Sequence, residues 1–233
     1  YKEFHMHRLM AIVDDPKQSL SAKFASSKNL NERQVEDTLI RPILEALGNV
    51  LKAQIPLQGD TVDFCVYTPS ETIKPDGFAM QYANTNAIIE SKRYGRIENK
   101  YFIQKKDNSD EIYQTLNYLN VMNLTLANSK SPHRIPFAVL TDGYRWRIYS
   151  RNYTHNTKEY ESHVIEFNLE EIVNCPDAGQ RDHLLRLFGI CFSKESLAGE
   201  LLKHQKASGE LETAVTVALK EQTYTSLEYI ATG

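Results

Sequence analysis

The chain has 233 residues, 41% of them hydrophobic and 24% charged, with a formal net charge of −3. That length suits one sizeable domain with a core that needs no disulfide staples, and so small a charge leaves any contact with nucleic acid to a local field. No apolar run approaches the ~20 residues of a bilayer-spanning helix, and three distant cysteines, Cys65, Cys175 and Cys191, give neither a disulfide framework nor a zinc site.

A reducing compartment, the cytoplasm, is therefore expected, with no membrane partner. The chain opens on Tyr1 rather than Met and shows no secretory pattern, which leaves a fragment or a trimmed chain as the two readings. Residues 1–30 read as an N-terminal helical segment, with His5, Met6, Leu9, Met10 and Val13 near helical spacing. A stronger helix is expected over 31–47. Asn31 is a good N-cap, with Gln34 three residues on as a variant capping box. Val35, Leu39, Ile43 and Leu47 form its stripe, widened by Ile40 and Leu44, and Gly48 is placed to end it. Pro42 lies inside this pattern and is expected to kink or break the helix.

Strands follow at 50–56 and 61–68, with Gly59-Asp60 as the turn between them. Residues 69–86 hold two prolines and a glycine and read as a long loop or insertion, after which 87–92 is a third strand. A helix over 110–123 carries Ile112, Leu116, Leu119 and Met122. Residues 136–141 and 144–150 form a hairpin across Asp142-Gly143. Residues 164–167 are a further strand and 184–192 a helix. From 193 to 233 the composition is more polar and reads as a helical connector to a following module. This order gives an α/β domain, over 31–192, with a mixed central β-sheet flanked by helices.

Charge in apolar strands is the informative feature. Asp63 interrupts the strand Val62-Asp63-Phe64-Cys65-Val66, where burying a carboxylate is costly unless it is paired or binds a metal. Glu90 and Lys92 end the strand Ala87-Ile88-Ile89-Glu90-Ser91-Lys92, and residues two apart in a strand share a face. Alone, Glu-x-Lys also fits a surface ion pair at a strand end. Glu36, one turn from Glu32, lies beside the apolar stripe of the preceding helix. Carboxylates with a backbone carbonyl suit Mg²⁺, and an adjacent ammonium can orient a water, which is the equipment of metal-assisted phosphodiester hydrolysis.

With these residues in this order, the sequence resembles the PD-(D/E)XK nuclease superfamily, most closely the N-terminal nuclease domains of type I restriction R subunits and of fused type II restriction-modification enzymes. The match covers about residues 30–150. Asp63 and Glu90-Ser91-Lys92 resemble the catalytic motif. The helix from Asn31 to Gly48 resembles the first helix of those domains. Gln114 and Tyr118 match a Q-x-x-x-Y motif, and Thr141-Asp142-Gly143 matches the turn of their hairpin. Val62 stands before Asp63 where many members have proline. The gap from Asp63 to Glu90 is long, and it leaves Asp76 and Glu71 as alternative acids.

The resemblance implies a restriction-endonuclease-like fold and a Mg²⁺-dependent enzyme, Mn²⁺ substituting, that cuts double-stranded DNA. Methyltransferase, helicase or specificity modules would lie in the same chain or complex. It implies Asp63, Glu90 and the Ser91 carbonyl as metal ligands, and Glu36 on metal-linked water or a second ion. Lys92 would position the attacking water, and Gln114 and Tyr118 would touch the DNA backbone or brace Lys92. Arg93, Arg96, Lys100, Lys105 and Lys106, interleaved with Tyr94, Tyr101 and Phe102, suit phosphate contact. The alternatives are a catalytically inactive nuclease fold serving as a DNA-binding or scaffolding module, and a small-molecule metal hydrolase.

Overall fold

The computed structural model of the chain describes residues 2–15, 19–68, 82–97, 99, 110–150, 164–201 and 203–204. Two helices lead, α1 (Lys2–Val13) and α2 (Leu20–Ser27). The third helix is composite: α3 (Glu32–Val35), a π-helical turn (Glu36–Ile40), then α4 (Arg41–Ala46). Asn31 and Gln34 form the full capping box, each side chain accepting from the other's backbone N–H.

Pro42 does not break this helix; of the kink or break expected there, the structure shows a local departure from α geometry, the π turn just ahead of the proline. Proline has no N–H for the carbonyl four residues back, and its ring crowds that carbonyl. The π turn just ahead widens the ring, with the Arg41 N–H donating to Glu36 O five residues back. The stripe stays in phase, and Val35, Leu39, Ile40, Ile43, Leu44 and Leu47 are all fully buried.

Six strands make one sheet in chain order: β1 (Val50–Leu57), β2 (Asp60–Tyr67), β3 (Thr85–Ser91), β4 (Phe137–Thr141), β5 (Arg145–Ser150) and β6 (Val164–Asn168). All neighbours are antiparallel except β3 and β4, which are parallel. A parallel pair needs a crossover, and α5 (Glu111–Asn128), N-capped by Asp110, lies within it. β3 starts at Thr85, within the stretch expected as loop, and ends at Ser91, so Lys92 lies just past the strand; its N–H still donates to Thr141 O at 2.8 Å.

The β4–β5 turn depends on Gly143. Its φ is +82°, and a Cβ there would stand 3.0 Å from Leu39 Cδ1. The Asp142 carboxylate accepts from the N–H groups of Tyr144 and Arg145 in the turn. It also accepts from Gly95, which ties the segment after Lys92 to the hairpin.

Each face of the sheet has its own core. On one, Leu9, Phe24, Leu39, Ile43 and Phe188 pack with Phe64, Ile89 and Trp146. On the other, α5 lays Leu116, Leu119 and Met122 against Cys65, Ile88 and Leu140. The first core also takes in α6 (Leu169–Val173), α7 (Ala178–Cys191) and a π-helical turn (Ser196–Glu200), through Leu169, Leu185 and Leu197. The N-terminal helices and the turn after 193 thus share the core of the sheet. Most of the connector expected over 193–233 lies outside the described residues. Among the described residues no helix is long and apolar enough to cross a membrane.

Candidate active site

β2 and β3 pair as far as Phe64↔Ile89 and then part. On the other side of β2 the β1 ladder steps from Ala53↔Phe64 to Ile55↔Val62, skipping Gln54, whose φ is +54°. Asp63 falls at this double interruption and is free of the regular ladder on both sides. Its carboxylate reaches the end of β3, where Oδ2 accepts from both the N–H and the hydroxyl of Ser91, each at 2.8 Å.

The π turn delivers Glu36 to the same place. Its Oε1 lies 2.6 Å from the Ser91 hydroxyl and shares that group's one proton with Asp63 Oδ2. Glu32, one turn earlier, accepts from the Arg93 N–H. Carboxylate oxygens of Glu32, Glu36 and Asp63 lie within 4.8 Å of one another. Burial lifts Glu32 and Glu36 above the ordinary carboxylate range, and Asp63 pushes both further up. Lys92 and the Arg93 N–H pull Glu32 back, and the Ser91 hydroxyl pulls Glu36 back.

Glu90 stands beside this group and is 2% exposed. One of its oxygens is 2.5 Å from Lys92 Nζ, and the other is buried with no hydrogen-bond partner. Burial, with Asp63 acting the same way, pushes Glu90 up to about 8. Burial works against the charge on Lys92, but Glu90, Glu32 and Asp63 outweigh it and hold Lys92 above the usual lysine value. One ammonium thus lies within electrostatic reach of three carboxylates.

On α5, Gln114 Nε2 donates to Tyr118 Oη at 2.7 Å. Burial raises Tyr118, as does its hydrogen bond to Asp60, and it lies within electrostatic reach of Glu90. The chain Gln114, Tyr118, Asp60 therefore braces the α5 side of the site, with Asp60 a member that the motif alone does not reveal.

The basic residues behave differently from one another. Arg93 is exposed. Arg96 is half exposed and pairs with Glu111 at 2.8 Å, so its charge is partly met. Tyr94 turns inward against Tyr144, ring centroids 4.5 Å apart, with Lys28 over its ring. Lys100, Lys105, Lys106, Tyr101 and Phe102 lie outside the described residues, as do Asp76 and Glu71.

The structure therefore brings Asp63, Glu90, Ser91, Lys92 and Glu36 together and adds Glu32, whose signal in the sequence was its place one helical turn before Glu36. Glu90 falls outside the compact triad of Glu32, Glu36 and Asp63. Crowded carboxylates with raised proton affinity, next to an unpartnered buried oxygen, fit a hard divalent cation held by oxygen ligands. Comparison with family models, with curated proteins and with solved structures finds no match for the chain.

Proposed function

We propose that this chain is a Mg²⁺-dependent endodeoxyribonuclease domain of the PD-(D/E)XK kind, the DNA-cutting part of a cytoplasmic restriction or restriction-modification enzyme. The observation that carries the reading is the convergence of Glu32, Asp63 and Glu90 on Lys92, with Glu36 beside Glu32 and Asp63, where β2 and β3 part. The resemblance of the motifs from Asn31 to Tyr149 supports the restriction context.

Asp63 and Glu90 would hold the cation, with Glu36 and Glu32 as further acids beside Asp63. When bound, the cation supplies Lewis-acid polarisation of the scissile phosphate and offsets charge that builds up during hydrolysis. Lys92 keeps its proton and carries its charge into a largely buried site, where an oriented donor counts for far more than in water. Its Nζ donates to Glu90 and has two further protons for a water or a phosphate oxygen. Glu90 fixes where that ammonium sits. The N–H of Ser91 steadies Asp63, and Gln114 and Tyr118 close the site on the α5 side.

Plasmid DNA incubated with the chain and Mg²⁺ is the test. Nicked and linear products that vanish with chelator, and vanish in Asp63→Asn, Glu90→Gln and Lys92→Ala chains that fold normally, are the expected result. Folded variants that all cut like the parent chain would remove the assigned site. DNA binding with no cleavage in Mg²⁺ or Mn²⁺ would favour an inactive, scaffolding nuclease fold.

A further inference from the structure

In a regular strand Ser91 points away from Glu90, onto the face where Ala87 and Ile89 fill the core under the composite helix. The middle residue of a Glu-x-Lys triplet placed there has only packing to do. Ser91 is fully buried, yet its hydroxyl lies within hydrogen-bond distance of two carboxylates from two other elements, Glu36 Oε1 at 2.6 Å and Asp63 Oδ2 at 2.8 Å, and its single proton is shared between them. Its N–H takes the same Asp63 oxygen at 2.8 Å.

We propose that Ser91 is a positioning residue, whose hydroxyl and N–H set the distance between Asp63 and Glu36 and so the size of the cation that the site accepts. The inference rests on the nuclease reading above. Two carboxylates repel each other when brought together, and a shared donor offsets that repulsion. Here the donor is one atom that ties the π turn, β2 and β3 into a single unit. Asp63 Oδ2 is held from two directions and has little freedom to swing. Without the hydroxyl, Glu36 Oε1 loses this bond and Asp63 keeps only the N–H, so the two acids move apart. Mg²⁺ and Mn²⁺ need short, well-ordered oxygen ligands, whereas Ca²⁺ tolerates a looser set. Losing Ser91 Oγ therefore shifts preference between cations, beyond simply weakening the site.

Calorimetry on the 233-residue chain with Mn²⁺ and with Ca²⁺, in the absence of DNA, tests this. Ser91→Ala and the near-isosteric, poorly hydrogen-bonding Ser91→Cys are each expected to lose about tenfold in Mn²⁺ affinity, the scale for a partner that orients a metal ligand. Ca²⁺ affinity should fall by less, and Ser91→Thr, which keeps the hydroxyl, should restore the Mn²⁺ over Ca²⁺ preference. Melting temperatures of the cation-free variants show which of them fold, and the Cys variant keeps the test open if Ala or Thr does not. An unchanged Mn²⁺/Ca²⁺ ratio in folded Ala or Cys variants overturns the inference, whether both affinities hold or both fall equally. A parent chain that binds neither cation overturns the nuclease reading along with it.

Discussion

Glu90 and Lys92 are two residues apart, yet they do separate work. Glu90 offers a buried oxygen with no hydrogen-bond partner, which suits the ligand role proposed for it. Lys92 offers a charge that its acidic neighbours keep in place. Glu90→Ala is expected to weaken Mn²⁺ binding at least about tenfold. Lys92→Ala should leave binding intact or tighten it, because a nearby positive charge disfavours a cation. Calorimetry on both checks this, and equal losses would contradict the division of roles. The same residues predict a pH dependence. The Glu90 carboxyl, ordinarily near 4.5, stands at about 8 when folded, so the folded chain binds this proton more tightly than the unfolded one. Its contribution to the stability of the cation-free chain is complete below about pH 4.5 and is lost as pH rises through about 8. Cation binding runs the other way, since a ligand must give up its proton first. The rise in melting temperature on adding Mn²⁺ should therefore grow between about pH 6 and pH 8.5. Glu90→Gln, which has no such proton, should flatten that growth. A pH-independent rise in the parent chain would show that Glu90 does not ligate.

At the scale of elements, the sequence showed most plainly what depends on near neighbours. The stripe from Val35 to Leu47 marked the composite helix, and Asn31 with Gln34 marked its start. Charged residues inside apolar strands marked Asp63 and Glu90. The π turn was not legible, because its cause is one proline acting on one carbonyl and the apolar stripe reads the same with or without it. α6 was missed because five residues are too few for a periodic signal. Glu32 was marked only by its place one turn before Glu36, and the meeting of both with Asp63 and the Ser91 hydroxyl was hidden. That meeting depends on where β2 leaves its neighbours, a matter of pairing between distant segments that no local pattern encodes. The β4–β5 turn gives a direct check on how elements support one another. Gly143→Ala puts a side chain at a positive φ and against Leu39 of the π turn that carries Glu36. It should cost about 1–3 kcal/mol in urea unfolding, and it should weaken Mn²⁺ binding too, because the displaced helix carries two of the acids. Loss of stability with unchanged Mn²⁺ affinity would show that turn and site are independent.

For the whole molecule the difficulty is charge. The chain carries a formal −3, and its proposed site gathers Glu32, Glu36, Asp63 and Glu90 with the ammonium of Lys92. The proposed DNA substrate would bring a dense line of phosphates to that place. Of the basic residues expected to receive them, Arg93 is exposed, whereas Arg96 already faces Glu111. Without a cation, the site therefore repels the substrate that it would cut. A bound divalent ion reverses the local field, and the reversal reaches the phosphates at short range, where screening by salt is weak. Ca²⁺ serves as the probe, since it fills oxygen sites while supporting hydrolysis poorly if its looser geometry misplaces the reacting groups. A fluorescent 30-base-pair duplex should bind about tenfold more tightly in Ca²⁺ than in chelator, equal to about 1.4 kcal/mol of relieved repulsion. In chelator, Asp63→Asn should bind it more tightly than the parent chain, because it removes a negative charge without adding a contact, and Glu90→Gln should do so only above about pH 8, where the parent Glu90 has lost its proton. Arg93→Ala should weaken binding in both conditions and reduce the salt slope by roughly one unit. If binding is the same with and without Ca²⁺, and the neutralised variants show no gain, then the phosphates pass elsewhere on the surface and the acidic cluster does not meet DNA.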